Sequence, residues 1–361
     1  MRRAARRRRG ALAALLLCSI NLSGCAAGYV MRAAYEEARL LWRRQPIDEV
    51  LAHESDPSTR AKLELALAAR RFAADDLGLN VGGSYTSVAT VDAGQVVHVV
   101  SAAPRDRLVF YTWWFPIVGR VPYRAYFDVA DANALAADLE KEGYDTYVRP
   151  AVAFSTLGWF DDPLLSTLLR YDDARLVETI IHELLHNTIY VPGHTAFNES
   201  FATFVGHRGA EQFFLARDDA ERAQRTAARW ADALTYSAFL ARLTSELETA
   251  YAAGITPEQR GALFDRARAE FAAQRWETDE YTGFEKGPLN NAVILHDQLY
   301  ADRLALFEAA AARNGGDLRA TIAWIRSQVA DQSDPFAALQ AGLAGSYQPS
   351  ASSRQPEKAQ S

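Results

Sequence analysis

Five consecutive residues, His182-Glu183-Leu184-Leu185-His186, are the part of this chain best suited to chemistry. Two histidines four apart project from one face of a helix, so both imidazoles can hold one divalent ion. Glu183 stands one residue along, beside the ion and not on it. From there its carboxylate can accept a proton from a water on the metal. Zinc is the expected ion, because it lowers the pKa of such a water towards about 7. The surrounding helix is strongly apolar, with Leu176, Val177, Ile180, Ile181, Leu184, Leu185 and Ile189 along it. Unpaired polar groups on such a face are costly, which favours a metal site over a surface helix that happens to carry two histidines.

A catalytic zinc takes three protein ligands and keeps one position open. Glu199, in Phe197-Asn198-Glu199-Ser200-Phe201-Ala202, is the expected third ligand. Pro192-Gly193 would end the first helix and reverse the chain, and a second helix from about Asn198 would return alongside. Ala202 and Gly206 are small, and lie where two helices sharing an ion must approach closely. The plainer reading of Glu199 is a first-turn glutamate favoured by the helix dipole. His194 is the competing ligand. A metzincin would need glycine at 189 and histidine at 192, where this chain has Ile189 and Pro192. His53, His98, His207 and His296 fall in no motif and are expected to be structural or on the surface.

The elements that must position these residues are legible from periodicity. Residues 25–80 read as a helical segment, with helices over Tyr29 to Arg44, from Pro46, and from Ser58 or Thr59 to Asp76, where Gly78 stops the last. Residues 81–163 read as a small α/β unit. Its strands fall at Gln95 to Val100, Leu108 to Trp113, Thr146 to Val148 and Ala151 to Phe154, with a helix over Asp131 to Lys141. Residues 164–345 read as the helical, zinc-binding part. Within it, Thr256-Pro257-Glu258-Gln259 forms a capping box, and helices cover Asn290 to Arg313 and Leu318 to Val329. Residues 346–361 are polar and expected to be disordered. The fold class is therefore α+β and mostly helical.

The N-terminus has six arginines within residues 2–9, an apolar run from Ala11 to about Ile20, and then Leu22-Ser23-Gly24-Cys25. The run is shorter than the roughly 20 residues a spanning helix needs. It reads as a secretory signal over residues 1–24, ending in a lipobox that would place a lipid on Cys25. Ala26 follows where aspartate would alter sorting, so the expected location is the periplasmic face of the outer membrane. Cys18 leaves with the signal, and no cysteine remains for a disulfide. Removing the signal leaves 33 basic against 45 acidic residues, a net charge of −12 instead of −6. So acidic a body argues against nucleic-acid binding.

These residues resemble the aminopeptidase lipoproteins of proteobacteria, in the gluzincin clan of zinc peptidases. The resemblance runs from the lipobox to about residue 310. It is most specific over Ala153 to Thr167 (Ala-Phe-Ser-Thr-Leu-Gly-Trp-Phe-Asp-Asp-Pro-Leu-Leu-Ser-Thr), the zinc helix, and Asn198 to Thr203, and it includes Phe115 to Gly119, Tyr123 to Phe127 and Asn290-Asn291-Ala292. It implies a gluzincin-like fold, His182, His186 and Glu199 as zinc ligands, Glu183 as general base, and a peptide substrate. Many members carry paired cysteines where this chain has Trp114 and Arg120.

On that reading Glu183 deprotonates the attacking water and passes the proton to the leaving amine. A donor for the developing oxyanion is also needed, and Tyr123, Arg124, Tyr126 and Tyr300 are candidates. The segment Ser155-Thr156-Leu157-Gly158 reads as an edge strand able to bind an extended peptide through its main chain. Asp161 and Asp162 could contact a free α-amine or cap the helix that Pro163 begins. The alternative function is a zinc-stabilised envelope lipoprotein that binds a partner without catalysis. Such a module would have no need of the base at Glu183.

Overall fold

The computed structural model describes residues 42–91, 97–115, 119–126, 128–150, 161–282 and 284–345. The architecture is α+β, mostly helical, with small mixed and antiparallel sheets. Cys25, the expected helix from Tyr29, the Ser155 to Gly158 segment and the polar tail lie largely or wholly outside the described residues. Among the described residues no helix is long and apolar enough to cross a membrane.

A short strand β1 (Gln45–Pro46) leads into α1 (Ile47–His53) and α2 (Pro57–Asp75). The cap of α2 is Asp56, whose carboxylate accepts the Thr59 amide with Pro57 in the first turn, two residues before Ser58 and three before Thr59, where the helix was expected to begin. Strand β2 (Ser87–Ala89) pairs antiparallel with β1 and parallel with β8 (Leu164–Leu165).

The central sheet has the order β6-β3-β7, all antiparallel, from β3 (His98–Pro104), β6 (Tyr123–Tyr126) and β7 (Tyr144–Pro150). Between β3 and β6 stands a hairpin of β4 (Trp113–Phe115) and β5 (Gly119–Val121), in which Trp114 pairs directly with Arg120. The expected strand over Leu108 to Trp113 is thus confined to its last residue, since Tyr111 bonds singly to Ala102.

Alternation of side chains along a strand gives this sheet two distinct faces. On one, Val100, Val148 and Tyr126 pack against Ala132 and Ala136 of α3 (Val129–Lys141). On the other, Ala103 and Tyr147 pack against Ala292 and Leu295 of α8 (Asn291–Ala301).

The helical part comprises α4 (Asp173–His186), α5 (Thr195–Leu215), the long α6 (Ala220–Ala252), α7 (Pro257–Ala273), α8, α9 (Leu304–Arg313), α10 (Leu318–Val329) and α11 (Pro335–Gly345). The capping box on α7 forms as its sequence indicates, with both Thr256 and Gln259 contributing. The single helix expected over Asn290 to Arg313 is broken into α8 and α9. Arg303 takes a left-handed conformation, φ 51°, and the Asp302 amide is diverted to the Ser200 hydroxyl.

One core joins these helices to α1 and α2. It runs from Ile47 and Leu63 through Leu176 and Ile180 to Phe307 and Leu339. At its centre are the rings of Phe197, Phe201, Phe204 and Phe307. Burial of this apolar surface dominates the stability of the helical part.

Candidate metal centre

Helix α4 starts cleanly because Asp172 caps it, accepting the Arg175 amide at 3.0 Å. It stops at His186, where the Thr188 amide turns back to the Leu185 carbonyl only three residues earlier. Ile180, Ile181, Leu184 and Leu185 are fully buried and fix the helix rotation. That rotation turns both His182 and His186 towards α5, with ring centroids 5.1 Å apart.

Helix α5 begins at Thr195, three residues before the expected Asn198. Its start is fixed by Asn198, whose side chain both accepts from the Val191 amide and donates to the Val191 carbonyl, each at 2.9 Å. Gly193, at φ 81°, makes the reversal sterically easy. The clamp aims the next residue, Glu199, at the histidines. Glu199 Oε2 lies 3.2 Å from His182 Nε2 and 3.5 Å from His186 Nε2. Ser200 completes the run: its hydroxyl donates to the Leu299 carbonyl and accepts the Asp302 amide, tying α5 to the end of α8.

Ligand atoms of His182, His186 and Glu199 all lie within 4.8 Å of one another, a group that could hold a metal ion. The donor set fits zinc: two imidazole nitrogens and one carboxylate oxygen, three ligands in all. Burial would raise the Glu199 pKa, but the hydrogen bonds and charges of His182 and His186 outweigh it and hold the carboxyl below its ordinary range. His194 is at the N-cap of α5 and is not part of the group.

Close approach of α4 and α5 depends on glycine. A Cβ on Gly206 would stand 2.8 Å from the Glu178 carbonyl oxygen and 3.3 Å from His182 Cβ. Glu178 itself is a buried acid one turn before His182. His207 Nδ1 lies 3.4 Å away and Arg229 Nη1 3.7 Å away. Burial would raise its pKa; the charges of His207 and Arg229 win and lower it. Both α5 and α6 thus grip α4 behind the metal group. The sequence carries one signal for this, an acid on the apolar face of α4.

Glu183 is half-buried, and its charge acts on His186, on Tyr300 and on the buried Tyr85. Tyr300 stacks on His182, ring centroids 6.2 Å apart and 27° between planes. The strand register separates the other oxyanion candidates. Tyr123 pairs with Ser101 and so shares the α8 face with Tyr147. Arg124 pairs with Val100 and Tyr126 with His98, which puts both on the α3 face. The structure brings Tyr123 and Tyr300 to the metal side of the sheet, and not Arg124 or Tyr126.

Asp161 is occupied locally: its carboxylate accepts the Gly83 amide at 2.7 Å. Asp162 is buried and holds the same loop through its backbone, donating to the Ser84 hydroxyl and accepting the Tyr85 amide. Neither caps a helix beginning at Pro163, because the chain there continues into β8. Tyr85, at φ 59°, is the strained member of this loop, and nothing in the sequence singled it out.

A family model described as Putative aminopeptidase matches residues 28–335, most of the chain. No curated protein and no solved structure matched. The extent of that match, over a chain in which His182, His186 and Glu199 converge, shows that the protein belongs to the putative aminopeptidase family.

Proposed function

We propose that this protein is a zinc-dependent peptidase that removes N-terminal residues from peptides. The observation that carries the reading is the convergence of Glu199 of α5 with His182 and His186 of α4, the helix that also carries Glu183. Family membership implies the peptide substrate. Zinc, when bound by these three side chains, would polarise the scissile carbonyl and acidify the attacking water.

The chain's own groups do the rest. A Glu183 carboxylate oxygen takes the water proton and delivers it to the leaving amine nitrogen. Burial raises the Tyr300 pKa, and so does the Glu199 charge, so the phenol stays protonated at neutral pH and able to donate to the oxyanion. Tyr123 is the second candidate donor. We also propose lipid attachment at Cys25 and a periplasmic, outer-membrane location; fatty-acid labelling that survives Cys25→Ala would refute the anchor.

The test is a fluorogenic peptide panel with free and blocked N-termini, run on the zinc-loaded protein and on Glu183→Gln. Cleavage of free N-termini, lost by at least about 100-fold in Glu183→Gln with zinc content unchanged, is expected. Equal inertness of both proteins would sink the catalytic reading and leave a zinc-stabilised binding module. Preference for blocked peptides would make it an endopeptidase.

A further inference from the structure

Among the described residues, Arg149 of strand β7, beside helix α8, makes one long hydrogen bond and leaves its Nε unpaired. The strand and the helix run side by side, anchored where Asp145 accepts the Asn291 amide at 3.0 Å and where the Asn290 side chain donates to the Thr146 carbonyl. Arg260 and Arg105 pair with the same Asp145 carboxylate, so this end is fixed. Further along, Tyr147 meets His296, ring centroids 5.4 Å apart.

The two elements keep pace. At about 3.3 Å per strand residue, Tyr147 stands about 7 Å and Arg149 about 13 Å beyond Asp145. At about 1.5 Å per helix residue, His296 stands about 7.5 Å and Tyr300 about 13.5 Å beyond Asn291. Asp145, Tyr147 and Arg149 alternate onto one face, so Arg149 comes level with Tyr300, whose ring lies on His182. The Arg149 charge accordingly acts on Tyr147, His296, Asp297 and Tyr300.

At this place the guanidinium is poorly satisfied. Its Nε is buried with no hydrogen-bond partner among the described residues. Its Nη1 reaches only the Pro150 carbonyl, at 3.5 Å. The nearest acid on α8, Asp297, accepts instead from the Tyr236 hydroxyl. A half-buried arginine with free donors is costly unless something completes it. Its planar fork matches a carboxylate, two parallel N–H groups to two oxygens.

We propose that Arg149 is a specificity residue of this site, binding a carboxylate of the peptide held against the metal centre. The proposal rests on the peptidase reading above for the identity of the ligand. The carboxylate could be the C-terminus of a short peptide or an acidic side chain, and the two sources are separable.

The experiment measures binding, not turnover, by calorimetry on the zinc-loaded full chain in detergent carrying Glu183→Gln. The ligands are Ala-Ala-Ala, its C-terminal amide, Ala-Glu-Ala amide and Ala-Gln-Ala amide. With Arg149 present, a carboxylate-bearing peptide should bind roughly 10- to 100-fold more tightly than its neutral counterpart. The free-acid tripeptide winning identifies the C-terminus; Ala-Glu-Ala amide winning identifies a side chain. In Arg149→Met the preference should vanish while the neutral peptides bind as before, and Arg149→Lys should restore part of it. Equal affinities with Arg149 present overturn the proposal, as does a preference that persists in a folded, zinc-replete Arg149→Met. Absence of binding by every peptide overturns it too. Binding with this preference but no hydrolysis by the Glu183 protein would overturn only the peptidase reading.

Discussion

Gly206 of α5 lies directly against the Glu178 carbonyl of α4, so close that a Cβ on it would stand 2.8 Å from that oxygen. The contact sets the separation of the two helices that carry the metal group. It is main chain against main chain, and no side-chain rotation can relieve an intruding methyl.

Gly206→Ala tests this. Helix propensity alone would favour alanine by roughly 1 kcal/mol. Pushing the backbones apart costs typically about 1–3 kcal/mol, and His182 Cβ, 3.3 Å from the added carbon, blocks the other way out. The expected outcome is a net loss of stability and a smaller rise in Tm on adding zinc. A variant as stable as the parent, with an unchanged zinc increment, would refute the contact's role.

The ligand set is tested by zinc content in Glu199→Ala and His194→Ala. Glu199→Ala should lose affinity beyond the roughly 10- to 100-fold that changes to supporting residues cost. His194→Ala should keep its zinc, because His194 stands at the N-terminal boundary of α5, outside the group. Full occupancy in Glu199→Ala would transfer the third ligand elsewhere.

Asp297 gives a pH signature. Burial pushes its carboxyl up to about 6, against the opposing hydrogen bond from Tyr236 and the charge of Arg149. A raised pKa means the folded state holds the proton more tightly than the unfolded chain does. The stabilisation is complete below about pH 4 and is lost as pH rises through about 6, on the order of 1–3 kcal/mol. Asp297→Asn removes that titration and can still accept from Tyr236. Its Tm relative to the parent should therefore climb between pH 4 and 7 and then level off. A flat difference would show that Asp297 does not titrate in that window.

Part of the site was legible because its logic is local. Helical spacing alone placed His182 and His186 on one face and Glu183 beside them. Glu199 was legible less directly, from the break at Pro192-Gly193 and the small residues after it. Asn198 stood in plain view beside Glu199, but its clamp on Val191 depends on the path of the turn. The positions of Arg124 and Tyr126 depended on register, since a shift of one residue exchanges the faces of a strand. The break at Asp302-Arg303 was invisible for a related reason: the Ser200 hydroxyl that captures the Asp302 amide is 102 residues away in sequence.

By itself the sequence determined the chemistry on offer: two imidazoles and a base on one apolar helix, a third ligand, a carboxylate, within reach, and a mostly helical α+β chain around them. Those properties follow from spacing and hydrophobic period, which act over a few residues. The tertiary structure decided which side chains meet. It brought Glu199 rather than His194 to the histidines, pressed Gly206 onto Glu178, turned Tyr123 and Tyr300 to the metal side, and set Arg149 level with Tyr300 with its Nε unpaired among the described residues. Each of those depends on how two distant elements pack, and packing is set by the whole core and not by the residues that do the chemistry.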